Sequence, residues 1–440
     1  MPRSGRRWPE RRRTRAPAAA ALVGAVLVGC VAAPQRGERG AHNRRPAGRD
    51  DASPVASVAL AAAVRSGVVS ATGGWRLYGA GGGEVLVRGG AGESWRIERR
   101  GAQLRAVRAD GVPTPFRDGT LTVRAVDLGA LVTWQGRRYR GELALTATDS
   151  GVRAVNRVPV ESYLRGVVPL EIGSRTAPAE QAAVEAQAVA ARSYTYARLG
   201  ERAARGYDLV AGVGDQVYGG ADAERPASDA AVAATRGLVI TYGGRVMSAP
   251  YHSTCGGSTA DVDDVWYWRP PQPYLRRVSD RVPGTPDRFY CDGSPTFAWT
   301  RTYTGASLAA SLDRYLRAYA AVPSGGPGAA RVVSAQGTTP FGRVTALRID
   351  TDRGTYEVRG DDIRRVLRAA GGEILPSTYF TLESVVGRDG RLRELTVRGG
   401  GNGHGVGMCQ WGALGRARAG QDFRTILRAY YPGTAVAPAD

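Results

Sequence analysis

The sequence predicts an α+β fold: mostly antiparallel β domains around a core that holds one long Ala-rich helix, with a groove between lobes. Three observations predict it. Residues 55 to about 157 alternate short apolar runs with Gly-containing turns, as in VLVRGG, LRAVRADG and LALTATDSG, and such period-two runs are strand and hairpin signals. After Pro178 come about twenty residues rich in Ala and free of Gly and Pro, the composition with the strongest helix propensity. Strand patterns then return over about 331–398, around a short helix at Asp361–Ala370.

The chain has 440 residues, roughly three domain-sized units, and its 43% hydrophobic content is enough for sizeable cores. No Lys is present, so the net charge of +20 is carried by Arg. Residues 1–29 hold seven Arg against Glu10, which leaves about +14 for the rest, compatible with an anionic polymer. Nucleic acid is excluded as a partner because the Arg are dispersed and no recognition motif is present.

The Arg-rich start leads into the apolar stretch Ala18–Val28, too short to span a bilayer and ordered like a secretory signal. It ends in Leu27-Val28-Gly29-Cys30, which resembles a lipobox, so residues 1–30 read as a lipoprotein signal peptide with lipidated Cys30. An ordinary signal peptide with a chance Cys is the alternative. Residues 31–54 read as a flexible tether, in which His42 is solvated. The protein is therefore expected to be exported and lipid-anchored at the cell envelope. Residues 55–157 form the β-rich N-terminal domain, whose Trp75, Trp95 and Trp134 read as strand surface, with a sugar-binding face as the alternative.

Residues 158–434 form the core, with a β-rich subdomain at about 331–398. Glu171 stands between Leu170 and Ile172 at a strand or loop end, before a turn with Gly173, Ser174, Thr176 and Pro178. Taken alone it is a solvated loop acid. Further on, Gly399–Gly412 interleaves seven Gly with Asn402, His404, Met408, Cys409, Gln410 and Trp411. Large specific side chains on a Gly-shaped backbone point to the wall of a cleft. His252-x-x-Cys255 has ligand-like spacing, and Cys291 and Cys409 would complete a zinc set. A Cys255–Cys291 disulfide with Cys409 left over is the equal rival. A Cys nucleophile paired with His404 has no local feature to activate it.

The motifs EAQAVAARSYTYAR, DQVYGG, YHSTCGGST, STYF (Ser377–Phe380) and GHGVGMCQWGA, followed by YYPGT at 430–434, resemble the SpoIID/LytB family in this order. That family includes sporulation protein D lytic transglycosylases and amidase enhancers. The resemblance covers about 55–434, with Ile172, Glu185 and Asn402 departing from the usual Met, Lys and aromatic residue. It implies a peptidoglycan lytic transglycosylase that cleaves the MurNAc–GlcNAc bond to leave 1,6-anhydro-MurNAc ends, preferring glycan stripped of stem peptides. A non-catalytic enhancer of a cell-wall amidase is the alternative. Glu171 matches the catalytic Glu, and one carboxyl suffices because the sugar's own C6 hydroxyl is the nucleophile. Apolar neighbours Leu170 and Ile172 would raise its pKa. His404 and Gln410 are expected at the glycan or as orienters of Glu171, with Arg192, Tyr194, Asp215, Gln216 and Tyr218 as groove candidates. A structural ion pair is the rival reading of Arg192. Zinc in some members adds weight to a structural metal at His252, Cys255, Cys291 and Cys409. Catalysis itself requires no cofactor. The implied partners are glycan strands, a cell-wall amidase and, through the anchor, the membrane.

Overall fold

The computed structural model describes residues 53–439, so the signal segment, Cys30 and nearly all of the tether lie outside the described residues. The fold is α+β, with several antiparallel sheets. A seven-stranded sheet runs in the order Leu209–Val210, Val55–Ala59, Gly151–Pro159, Glu142–Thr148, Leu121–Ala125, Trp75–Tyr78, Val85–Gly89. All its pairings are antiparallel except the first, where Val58 pairs with Leu209 in parallel. A five-stranded sheet faces it, ordered Gln103–Arg108, Trp95–Arg100, Ser66–Ala71, Val132–Trp134, Arg137–Tyr139. The Trp on these strands are not on the surface. Trp75, Trp95 and Trp134 are 1%, 8% and 5% exposed and fill the space between the sheets with Leu77, Ile97 and Leu145. Alternation decided which face was buried, and bulk decided that the Trp took it.

The helices are α1 (Val160–Arg165), α2 (Val168–Glu171), α3 (Gln181–Tyr196), α4 (Pro226–Ala234), α5 (Val262–Val265), α6 (Gly305–Tyr315), α7 (Asp362–Val366), α8 (Gln410–Arg418) and α9 (Phe423–Tyr430). Strand Gly151–Pro159 runs straight into α1, and the core of the sheets continues through α1 to α3 without a break. α3 is the Ala-rich helix, with Ala183, Ala186, Ala188, Ala190 and Ala191 all at 0% exposure. These small side chains let α4, α8, α9 and strand Leu238–Tyr242 approach it from different sides. Its polar groups are satisfied inward: Ser193 Oγ donates to Val189 O at 2.7 Å and accepts the Ile240 N–H at 2.8 Å.

A second core lies at 299–397, where Leu308 and Leu312 of α6 pack with Leu347, Ile349, Ile363, Leu395 and Val397. Two three-stranded sheets build it: Trp299–Thr304 and Phe380–Val386 flank Leu392–Gly399, and Ala330–Thr338, Val344–Thr351 and Thr355–Arg359 form a meander. The β-rich subdomain thus begins about thirty residues earlier than the 331 read from the sequence, at strand Trp299–Thr304.

Candidate active site

Two distant loops are zipped together beside α3. Tyr251–His252 pairs in parallel with Met408–Cys409, and Thr254 and Asn402 exchange backbone hydrogen bonds of 2.9 and 2.7 Å. Gly403 has φ 108° and its missing Cβ would stand 2.7 Å from that of His252, so the close approach requires Gly.

Glu171 is not at a strand or loop end. It closes the short helix α2, where its N–H donates to Val167 O at 3.1 Å. Its side chain is partly buried, and Oε1 accepts the Val217 N–H at 2.6 Å. The Gln410 side chain also bonds the carboxyl, and Gln410 Nε2 donates to Gln187 Oε1 on α3 at 3.2 Å. Burial pushes the Glu171 pKa up to about 7 against these two hydrogen bonds, which favour the charged form. One expected cause differs: Ile172 is 4% exposed, but Leu170 is 46% exposed, so of the two apolar neighbours only Ile172 is buried.

The loop Asp215–Tyr218 acts as a bracket. The Asp215 carboxylate is fully buried, accepts the Tyr194 hydroxyl at 3.0 Å and the Val210 N–H at 2.9 Å, and pairs with Arg202. Gln216, 1% exposed, donates to Tyr251 Oη at 2.9 Å and accepts from Thr195 Oγ1 at 2.9 Å and Tyr163 Oη at 3.2 Å. Tyr218 donates to Asn156 Oδ1 at 2.8 Å. With both flanks pinned, Val217 presents its N–H to Glu171.

The groove has a volume of about 540 Å³ and is lined by Glu171, Tyr194, Tyr251, His252 and His404. Trp266, Trp268, Arg269, Asp361, Arg198, Arg202, Arg364 and Arg365 complete its lining. Of the residues expected in the groove, Tyr194, Asp215 and His404 line it. Arg192, Gln216, Tyr218 and Gln410 do not. Arg192 is fully buried and makes a two-pronged pair with Glu161, both bonds 2.8 Å, plus bonds to the carbonyls of Val232 and Leu238. α3 turns it toward α1, away from the cleft. Gln410 reaches Glu171 rather than open space.

His404 reaches the groove with its ring only. Nε2–H donates to Tyr251 O at 2.9 Å and Nδ1 accepts the Val406 N–H at 3.1 Å, which fixes one neutral tautomer. The ring packs 4.9 Å from Trp266 and 5.4 Å from His252. Burial and the neighbouring His252 push its pKa down to about 3, so it moves no proton near neutral pH. Trp266, Trp268 and Arg269 in the groove lining were missed by the sequence reading; the Trp/Pro-rich stretch after Thr259 was their only signal.

Behind the loops, Cys255, Cys291, Cys409 and Asp280 bring one ligand atom each within 4.8 Å of one another, all buried. His252, the expected fourth ligand, is outside this set, and its Nδ1 faces Val406 O at 3.2 Å. Asp280 takes that place, and no spacing in the chain announced it. The three Cys are free thiols, with Cys255 and Cys291 Sγ 3.5 Å apart, well beyond the ~2.05 Å of a disulfide. The set fits zinc. Three thiolates and one carboxylate make four donors. Cys409 Sγ accepts N–H groups of Cys255 and Gly412, both at 3.2 Å, and Asp280 Oδ1 accepts the Tyr430 hydroxyl at 2.7 Å, the outer support a metal site needs.

A family model described as Stage II sporulation protein matches residues 148–242, and one described as a domain of unknown function matches 286–407. The chain is 30% identical over 302 residues to an uncharacterised protein of Brachyspira hyodysenteriae, covering 68% of this chain and 73% of that one. It is 29% identical over 304 residues to Stage II sporulation protein D of Bacillus subtilis, covering 66% and 77%. It is 28% identical over 302 residues to the amidase enhancer of the same organism, covering 62% of this chain but 40% of the enhancer.

Proposed function

This chain belongs to the SpoIID/LytB family, whose role is at the cell wall, and from that premise we propose that it is a peptidoglycan lytic transglycosylase with Glu171 as its single acid and base. One observation carries the reading. A carboxyl group with its pKa raised to about 7 opens onto a long groove and is held by Val217 and Gln410. In the first step Glu171 gives its proton to the glycosidic oxygen as the bond from the muramic C1 breaks, and positive charge develops on that sugar. In the second, the carboxylate takes the proton of the same sugar's C6 hydroxyl while that oxygen bonds to C1, giving the 1,6-anhydro ring and restoring the acid. The Val217 N–H and the Gln410 amide stabilise the carboxylate between the steps.

The other groove acids are held away from this role. Asp361 bonds Arg364 at 2.7 Å, and despite burial the arginines beside it keep its carboxyl below the usual range. Trp266 and Trp268 offer ring faces for sugars, and Arg269 and Arg365 offer cations for the acidic groups of a glycan freed of its peptides. Purified protein incubated with denuded glycan and read by mass spectrometry should release anhydro-muramic ends, and Glu171→Gln should release none while remaining folded. Products from the variant would sink the assignment of Glu171.

Similarity to an amidase enhancer supports a second reading: glycan binding without cleavage, with rate enhancement only when an amidase is added. Co-incubation of the protein with a cell-wall amidase separates the two, since enhancement that survives Glu171→Gln belongs to the second. We also propose that Cys255, Cys291, Cys409 and Asp280 hold a structural zinc, which would tie the loop of His252 to that of Gln410 and supply no chemistry to the reaction. One zinc per chain by elemental analysis, with three thiols titratable after chelation, supports it; no zinc and a single titratable thiol favours the disulfide. Export with lipidation at Cys30 completes the proposal, and a diacylglycerol mass on the N-terminal peptide of the membrane fraction tests it.

A further inference from the structure

A second cavity lies behind the His404 loop and shares no lining residue with the groove. It has a volume of about 140 Å³ and is lined by Asp261, Asp264, Arg277, Phe341, Arg343 and Tyr379, among others. Asp261 is taken up by the backbone N–H of Arg277 and by the Arg276 side chain, and the Arg277 guanidinium lies over the Phe341 ring, 3.0 Å from its centroid. Its notable member is Arg343, 4% exposed. The other buried arginines each meet a carboxylate: Arg192 meets Glu161, Arg364 meets Asp361, and Arg416 meets Asp280. Among the described residues Arg343 has no carboxylate within 4.0 Å. Its Nη1 donates to Thr378 Oγ1 at 3.3 Å, and its guanidinium lies against the Gly405 backbone, where a Cβ would come within 2.7 Å of it. Its other neighbour is the Tyr379 ring, 5.9 Å away, and a buried guanidinium with five N–H donors needs more acceptors than the Thr378 hydroxyl and this ring supply.

The opposite charge stands on the same cavity. Asp264, half-buried within α5, makes no hydrogen bond or ion pair among the described residues. Burial and the neighbouring Asp261 and Asp263 hold its pKa above the usual carboxyl range. The two groups face one space without closing on each other, and Phe341, exposed at the mouth, adds an apolar wall beside them.

We propose that this cavity binds the zwitterionic head of an α-amino acid, its carboxylate on Arg343 and its ammonium on Asp264. An anion alone would leave Asp264 repelled, and a cation alone would leave Arg343 uncompensated. The head comes either from a free amino acid or from the free end of a diamino acid in a wall peptide.

Calorimetric titration of the mature chain tests this with glycine, acetate and methylammonium as probes. Glycine is expected to bind, with acetate and methylammonium each at least about tenfold weaker. Asp264→Asn, on a half-buried side chain, should weaken glycine at least about tenfold and strengthen acetate, because the carboxylate that repels it is gone. Absence of glycine binding, acetate binding as tight as glycine, or an unaffected Asp264→Asn would each overturn the proposal. A muropeptide carrying a free diamino acid end, titrated in competition with glycine, decides the source: displacement assigns the site to wall peptide, and its absence assigns it to the free amino acid.

Discussion

Replacing Glu171 by Gln should make the protein less sensitive to pH in the window where the wild type loses stability. The folded pKa of about 7 lies above the ordinary 4.5, so the unfolded chain gives up this proton first as pH rises. The folded state therefore binds more protons between those values, and unfolding free energy falls with pH across the window. The contribution is fully present below about 4.5, is lost progressively up to about 7, and stays lost above that. Each pH unit is worth about 1.4 kcal/mol, so the loss between about pH 5 and pH 8 comes to about 2.5 kcal/mol. Gln keeps the shape and cannot ionise. Urea unfolding of both proteins at the two pH values isolates the term, because every other titrating group cancels in the difference. The wild type should lose about 2.5 kcal/mol more than the variant on going to pH 8. Parallel pH dependence in the two proteins would refute the claim that Glu171 holds its proton at neutral pH, and with it the acid role. The same pKa requires glycan cleavage to fall about tenfold per pH unit above about 7.

Gln410→Ala should remove one of the two groups that favour the charged form of Glu171. The descending limb of the pH–rate profile should then move upward by about one unit or more, since a hydrogen bond to a charged group is worth about 1.5 kcal/mol or more; an unmoved limb with a raised KM would make Gln410 a substrate contact. Arg192→Met should cost about 3–5 kcal/mol in denaturant unfolding by leaving Glu161 buried and unpaired, with KM unchanged in whatever folds. Trp268→Ala removes a groove-lining side chain that is 57% exposed, so stability should change little while KM for glycan rises about tenfold. Equal KM would remove Trp268 from the binding surface.

Some of this was present in local pattern. Alternation with Gly turns marked the strands, and Ala density marked α3. The motif around Glu171 marked the carboxylate, and Gly density marked a loop that must pass close to another chain segment, as Gly403 does at His252. Such features depend on a few residues each, so they survive without the fold. Orientation does not. Arg192 and Tyr194 are two positions apart on one helix, about 200° around its axis, so one faces Glu161 in the core and the other the groove. Only the neighbours of α3 decide which is which.

The same limit governs charge and ligation. Glu171 read alone as a solvated acid because the groups that hold its carboxyl, Val217 and Gln410, stand 46 and 239 positions away in the chain. Asp280 joins three Cys from separate segments with no spacing to announce it, and His252 fails to join them although its spacing did. The chain by itself determined which chemical groups are present and the local shape of the backbone that carries them. Tertiary structure decided which of them are desolvated, which are paired and which are left facing open space, because burial and pairing are properties of neighbours that sequence distance does not encode.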